Sequence, residues 1–362
     1  MTKHAARIAG TAYLAAAAHL ALALNVSVNT DSAKAVLVAI QNPSLSMDEA
    51  LKIARLPGNQ GIIREQNRFN VPVTTQSFAR ALVATAHGDL TSDSTETALY
   101  FDALRPHAAQ LVALTEQIEA DPQGFQRSIE ARIEQFTPPD SRLQLRGFVV
   151  VGGDGGGYSF GGTDFFLNLS FNDDLIAAKT TTKHEFYHAV QGAFAKERQS
   201  GAVVSAHGSR QNCANTSRLF ADIYEEGSAM YVEDISTLSQ SHSESAMRQL
   251  ADISGGLEHV HSSVALLELS VTGLDATTAV PFDDVYEVGF YGHGVLYDIG
   301  YAMAKAIVNN EGPQGLAALL KSPSYGLILR YIQLPGYGKD KDHPKLGPNT
   351  IAAVNQLVSG CK

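Results

Sequence analysis

From Ser46 to about Phe136, apolar positions recur every three or four residues, the period of helices that bury one face. "SMDEALKIARL" starts on a Ser cap, "TTQSFARALVATAHG" runs from Thr to a closing Gly, and "TETALYFDALRPHAAQLVALTEQIEA" and "DPQGFQRSIEARIEQF" continue the pattern. The consecutive prolines of "TPPD" at 137–140 cannot extend a helix, so a boundary is expected there. The pattern then shortens. "LRGFVVVGG" is a β-rich run, "GGDGGGYSFGG" is a glycine loop, and "TDFFLNLSF" alternates like a strand. Helical periodicity returns at "TTTKHEFYHAVQG" and again over 216–235, 243–253, 284–308, 313–320 and 350–358. The expectation is an α+β, mainly helical protein, with a helical N-terminal region over 25–140 and a second region over 141–362 that opens on a short sheet.

A chain of 362 residues is long enough for one large domain or two ordinary ones. Its formal net charge of −10 repels nucleic acid and anionic membrane alike, so neither is expected as a partner. Two cysteines, Cys213 and Cys361, allow one disulfide and no cysteine-ligated metal, so any metal must rest on His, Asp and Glu. At the start, Lys3 and Arg7 precede an apolar run from Ile8 to Leu24 in which Ala21-Leu22-Ala23 offers a small-x-small cleavage pattern. Residues 1–24 therefore read as an export signal, against an alternative in which they form an alanine-rich helix of the fold, favoured by His19 within the run. An exported chain would be periplasmic or secreted; without a signal it would be cytoplasmic. That run is too short and too interrupted for a membrane span and no other stretch qualifies, so the mature chain is expected to carry no membrane insertion.

The chemistry gathers in "TTTKHEFYHAVQG", Thr180 to Gly192. His184 and His188 stand one helical turn apart, so both imidazoles can reach one ion. Glu185 beside them suits a base that takes a proton from water on that ion. A catalytic zinc takes three protein ligands, and one common source, a His six residues after the second, is closed here because that position is Phe194. The other source is a Glu from a later helix, and "RLFADIYEEGSAMYVED" offers Glu225 and Glu226. At 100° per residue, Leu219, Ile223 and Met230 fall within about 40° of one another, with Glu226 at the edge of that stripe and Glu225 pointing away. Glu226 is the better ligand, unless it meets a buried Arg instead, and Gly227 would let another helix approach closely. Asp222, one turn earlier, suits a carboxylate that orients a ligand. His207 is an alternative ligand, while His259 and His261, two apart on a helix, do not face one another. The glycine loop over 152–162 lacks the Lys-Ser/Thr of a phosphate cradle and reads as a connection or a substrate-side loop.

"HEFYH" followed by "EEGSAMYVE" resembles the gluzincin metallopeptidases, whose His-Glu-x-x-His helix is completed by the Glu of a Glu-Gly pair. The likeness is strongest to the aminopeptidase and leukotriene-hydrolase type. It implies a zincin-like fold, one zinc ion on His184, His188 and Glu226, Glu185 as general base, and a peptide or protein substrate. "DDVYEVGFYGHGVLYDIG" resembles the segment whose tyrosine stabilises the tetrahedral intermediate, which by that match is Tyr286, with Tyr291 and His293 as rivals. Two departures from the family matter. The 37 residues between His188 and Glu226 imply an inserted loop holding "SGAVVSAHGSRQNCANTS", and the Gly-x-Met-Glu-Asn segment that grips a free amino group is absent. The expected activity is therefore that of an endopeptidase, with "TDFFLNLSF" as the edge strand that pairs with extended substrate.

Overall fold

The computed structural model describes residues 24–89, 92–199, 209–291 and 294–361. The expected leader, except Leu24, lies outside these residues, as do His207 and His293. Helices dominate, and a single small sheet supplies the β component.

The sheet has the order β1 (Leu24–Asn29), β2 (Leu143–Val150), β4 (Asp164–Asn168), β3 (Gly157–Ser159). The first three strands are parallel and β3 runs antiparallel to β4 at one edge. Two of these placements differ from the sequence expectation. β1 opens the region read as helical, and its partner β2 lies on the far side of the helices and of "TPPD". "TDFFLNLSF" is not the edge: β4 sits inside the sheet, and the short β3, folded out of the glycine loop, takes the edge position. The reason is visible in Phe165, Phe166 and Leu167, three successive buried residues of a strand covered on both faces. The Phe165 ring meets Phe186 of the histidine helix at 4.7 Å, and Phe166 stacks on Phe148 and Tyr158.

Between β1 and β2 the chain is helical as the periodicity predicts. Ser46 and Thr74 close capping boxes on the helices Met47–Ala54 and Thr75–His87. The stretch from Thr95 to Ala120, read as one run, breaks into short turns before the helix Ala108–Ala120, because Tyr100 takes a left-handed conformation and Pro106 interrupts the hydrogen-bond ladder. One hydrophobic core runs from β1 and these helices through the sheet to the C-terminal helix Pro348–Val358. The disulfide between Cys213 and Cys361 fastens the end of the chain to the helix Ser209–Glu233, with the two α-carbons 6.3 Å apart. No helix among the described residues is long and apolar enough to cross a membrane.

Candidate metal centre

Two helices meet to form the centre. The histidine helix, Leu175–Ala193, is capped by Asp174, whose carboxylate accepts from the Ala177 N–H at 2.7 Å, and it lies against β3 and β4. The glutamate helix, Ser209–Glu233, packs across it and against a third helix, Val295–Glu311. That last contact depends on Gly227: a Cβ there would lie 2.3 Å from the backbone of Gly300. The missing side chain thus does what the sequence suggested, letting a neighbouring helix close onto the stripe beside Glu226.

His184, His188 and Glu226 are brought together. The two Nε2 atoms are 3.0 Å apart, and Glu226 Oε2 lies 3.5 Å from the first and 3.3 Å from the second. Ligands about 2.0–2.1 Å from a tetrahedral zinc stand ~3.3 Å from one another, so the triangle has the size one ion requires. The donor set, two imidazoles and a carboxylate with room for a fourth position, is that of a catalytic zinc. Among the described residues it is the one group of His, Cys, Asp and Glu close enough to hold a metal; His259 and His261 are both exposed.

Each histidine is held from behind. Glu233 Oε2 lies 2.8 Å from His184 Nδ1, and Gln191 Oε1 lies 2.8 Å from His188 Nδ1. Both acceptors favour a proton on Nδ1 and turn the Nε2 lone pairs toward the centre. Gln191 is fixed in turn, its amide donating to the Glu225 carbonyl and to Ser228 Oγ, each at 2.9 Å. The Tyr297 hydroxyl donates to the Glu226 carboxylate. A buried Arg is present, but it serves the other glutamate: Arg198, only 6% exposed, pairs with Glu225 at 2.7 Å. Asp222 lines the cleft without touching a ligand, and its Oδ2 is buried with no hydrogen-bond partner.

The electrostatics follow from this crowding. Burial pushes the Glu185 carboxyl up to about 7, against the opposing pull of His184 and His188. A base poised near neutrality matches its expected task. Burial alone would lower both imidazoles, yet hydrogen bonds to the Glu226 and Glu233 carboxylates hold His184 well above the ordinary range, and the Glu226 charge raises His188. Burial would raise Glu226, but His188 and His184 hold it far below the usual carboxylate range. Protons therefore compete with metal for this site. Both imidazoles are raised, so we expect zinc affinity to climb as pH rises above about 6.5 while protons are displaced from them. Calorimetry in buffers of different ionisation enthalpy checks this, and a flat affinity over that range would refute it.

The centre lies in a cleft with two halves that share Gly157, His184, Glu185 and Tyr297. One half, about 530 Å³, is polar and is walled by Arg64, Glu65 and Arg68 of the helix Pro57–Arg68, so the N-terminal region contributes directly to it. The other, about 790 Å³, is bounded by the helix Glu244–Glu258. β3 forms the lip over both, and a Cβ on Gly157 would lie 2.5 Å from Glu185 Cγ, so glycine allows the strand to rest on the base.

Tyr286 lies in the polar half with its ring stacked on Phe290, and burial together with the Glu226 charge pushes its hydroxyl up to about 12. Tyr291 is 54% exposed and packs edge-on against Tyr286. The expected helix over 284–308 is two helices, Phe282–Phe290 and Val295–Glu311, and the break between them brings Tyr286 and Tyr297 to the same cleft. Sequence reading missed Tyr297, Glu233, Gln191 and Arg198. Helical spacing held a signal for two of them: Glu233 is two turns after Glu226, and Gln191 is one turn after His188.

Comparison with known proteins gives no match among curated proteins and none among solved structures. The profile of the family described as "Putative zinc dependent peptidase (DUF5700)" matches residues 51–337, a span that contains every side chain of the centre, and the chain belongs to that family.

Proposed function

We propose that the chain is a gluzincin-type endopeptidase that uses one zinc ion on His184, His188 and Glu226. The observation that carries this reading is the donor triangle, with edges of 3.0, 3.5 and 3.3 Å, beside a buried carboxylic acid that titrates near neutrality. Zinc bound there would supply Lewis acidity, polarising a scissile carbonyl and acidifying water. Glu185 takes the proton from the attacking water and passes it to the departing amine. Tyr286 donates its hydroxyl proton in a hydrogen bond to the oxyanion that develops on the carbonyl oxygen. Tyr297 holds Glu226, while Glu233 and Gln191 hold the imidazoles. An extended substrate adds to the free edge of β3, where main-chain hydrogen bonds give affinity without regard to sequence.

The cleft extends to both sides of Glu185, which supports cutting within a chain rather than at an end. A zinc-loaded preparation should therefore cleave a peptide acetylated at its amino terminus and amidated at its carboxyl terminus within about threefold of the rate for the unblocked peptide. Cleavage confined to peptides with a free terminus, followed by mass spectrometry, would make the enzyme an exopeptidase. The Cys213–Cys361 bridge supports an exported location, since such bonds persist in oxidising compartments.

A further inference from the structure

The larger half of the cleft contains a charge that nothing in the proposed chemistry uses. Asp298, on the helix Val295–Glu311, is 5% exposed and lines that cavity together with His184 and Glu185. Its carboxylate rests against Gly256, where a Cβ would lie 2.3 Å from Oδ2. No Lys, Arg or His among the described residues pairs with it, and the Ser263 hydroxyl beside it is buried without a hydrogen-bond partner. Burial pushes its carboxyl up to about 7, as expected of an anion with no counter-charge. Glu233, also on the cavity wall, keeps Oε1 buried with no hydrogen-bond partner. Arg248 stands at the rim, exposed, its Nε donating to the Glu244 carbonyl at 3.4 Å. Met230, Ile253 and Phe290 supply apolar surface to the same cavity, beside the polar Asn172, Gln249 and Asp252.

We propose that this chamber is a specificity pocket for a lysine or arginine side chain beside the scissile bond, with Asp298 as the residue that selects the cation. The inference rests on the peptidase reading above. A basic side chain has the two parts the chamber needs: an aliphatic stem for Met230, Ile253 and Phe290, and a charged tip whose hydrogen bonds satisfy a buried carboxylate. A neutral apolar side chain fills the walls and leaves Asp298 unpaired, and an acidic one meets a like charge. A site built around a buried polar group discriminates strongly against ligands that cannot pair with it.

Two measurements on the full-length protein test this. In the first, end-blocked fluorogenic peptides with Lys, Arg, Leu or Glu on either side of the bond are compared on the zinc-loaded enzyme. The ratio of kcat/KM for Lys or Arg over Leu should be about 100-fold in the wild type and fall below about 5-fold in Asp298→Asn. The Lys and Arg arms separate an ammonium from a guanidinium site. Gly256→Ala, which crowds the carboxylate instead of removing it, should also lower the ratio, so the test survives if one variant fails to fold. In the second, n-butylguanidinium or n-butylammonium should raise the melting temperature of the wild type but not of Asp298→Asn, with n-pentanol as the neutral control. Cleavage without preference for basic side chains, or a preference that persists in both variants, overturns the pocket and leaves the peptidase intact. No cleavage of any peptide, with cation binding lost in Asp298→Asn, sinks the peptidase and leaves the cationic pocket standing. Cation binding equal in wild type and variant overturns the role of Asp298.

Discussion

Glu185→Gln is expected to lower kcat/KM on any cleaved peptide at least ~10³-fold while zinc stays bound at full occupancy. The amide has nearly the volume of the acid, so β3 can still rest on it through Gly157, and it belongs to none of the three donor positions. What it lacks is a group that can accept a proton from water and return it to an amine. A second, independent consequence follows from the raised carboxyl. Its folded value of about 7 exceeds the unfolded 4.5, so the folded protein binds the proton more tightly and the zinc-free wild type loses stability as pH rises through that interval. The Gln variant has no charge to bury there. Its zinc-free melting temperature should match the wild type near pH 4.5 and exceed it near pH 8. Retention of more than a tenth of the wild-type rate, or loss of zinc, would remove Glu185 from the role of base.

The parts of this centre that could be read from the sequence are those set by a single helix. The spacing of His184 and His188 fixes both on one face, and the phase of Leu219, Ile223 and Met230 separates Glu226 from Glu225 before any coordinate is known. Ser46 and Thr74 announced their helices for the same local reason. What remained hidden depends on contacts between distant segments. β1 pairs with a strand more than a hundred residues later, and β4 lies inside the sheet because β2 pairs with one of its edges and β3, folded out of the glycine loop, with the other. The identity of the edge strand therefore could not follow from the alternation in "TDFFLNLSF". Arg198 chooses Glu225 from a different helix, and Tyr297 reaches Glu226 only because the helix ends at Phe290 and a second one begins at Val295. Asp298 meets Gly256 only through the packing of two helices distant in sequence.

The two adjacent glutamates offer the sharpest separation of metal binding from stability. Glu226→Ala removes one of three donors and the only charged one, and zinc affinity should fall on the order of 10³-fold or more. The two imidazoles also lose the partner that raises them, so the metal-free variant should bind fewer protons above pH 6.5. Glu225→Ala should do the opposite. It leaves the donor triangle whole but strips the carboxylate from Arg198, a guanidinium that is 6% exposed and otherwise holds the Gln191 carbonyl. A buried cation without its partner is costly, but Glu225 is itself 36% exposed and partly screened by solvent. The loss should therefore be about 1–2 kcal/mol, a fall in Tm of roughly 1–3 °C for a chain of this size, with zinc content unchanged. Elemental analysis beside thermal melts of both variants reads the two effects separately. Zinc lost from Glu225→Ala and kept in Glu226→Ala would reassign the third ligand and, with it, the face of the glutamate helix that the centre uses.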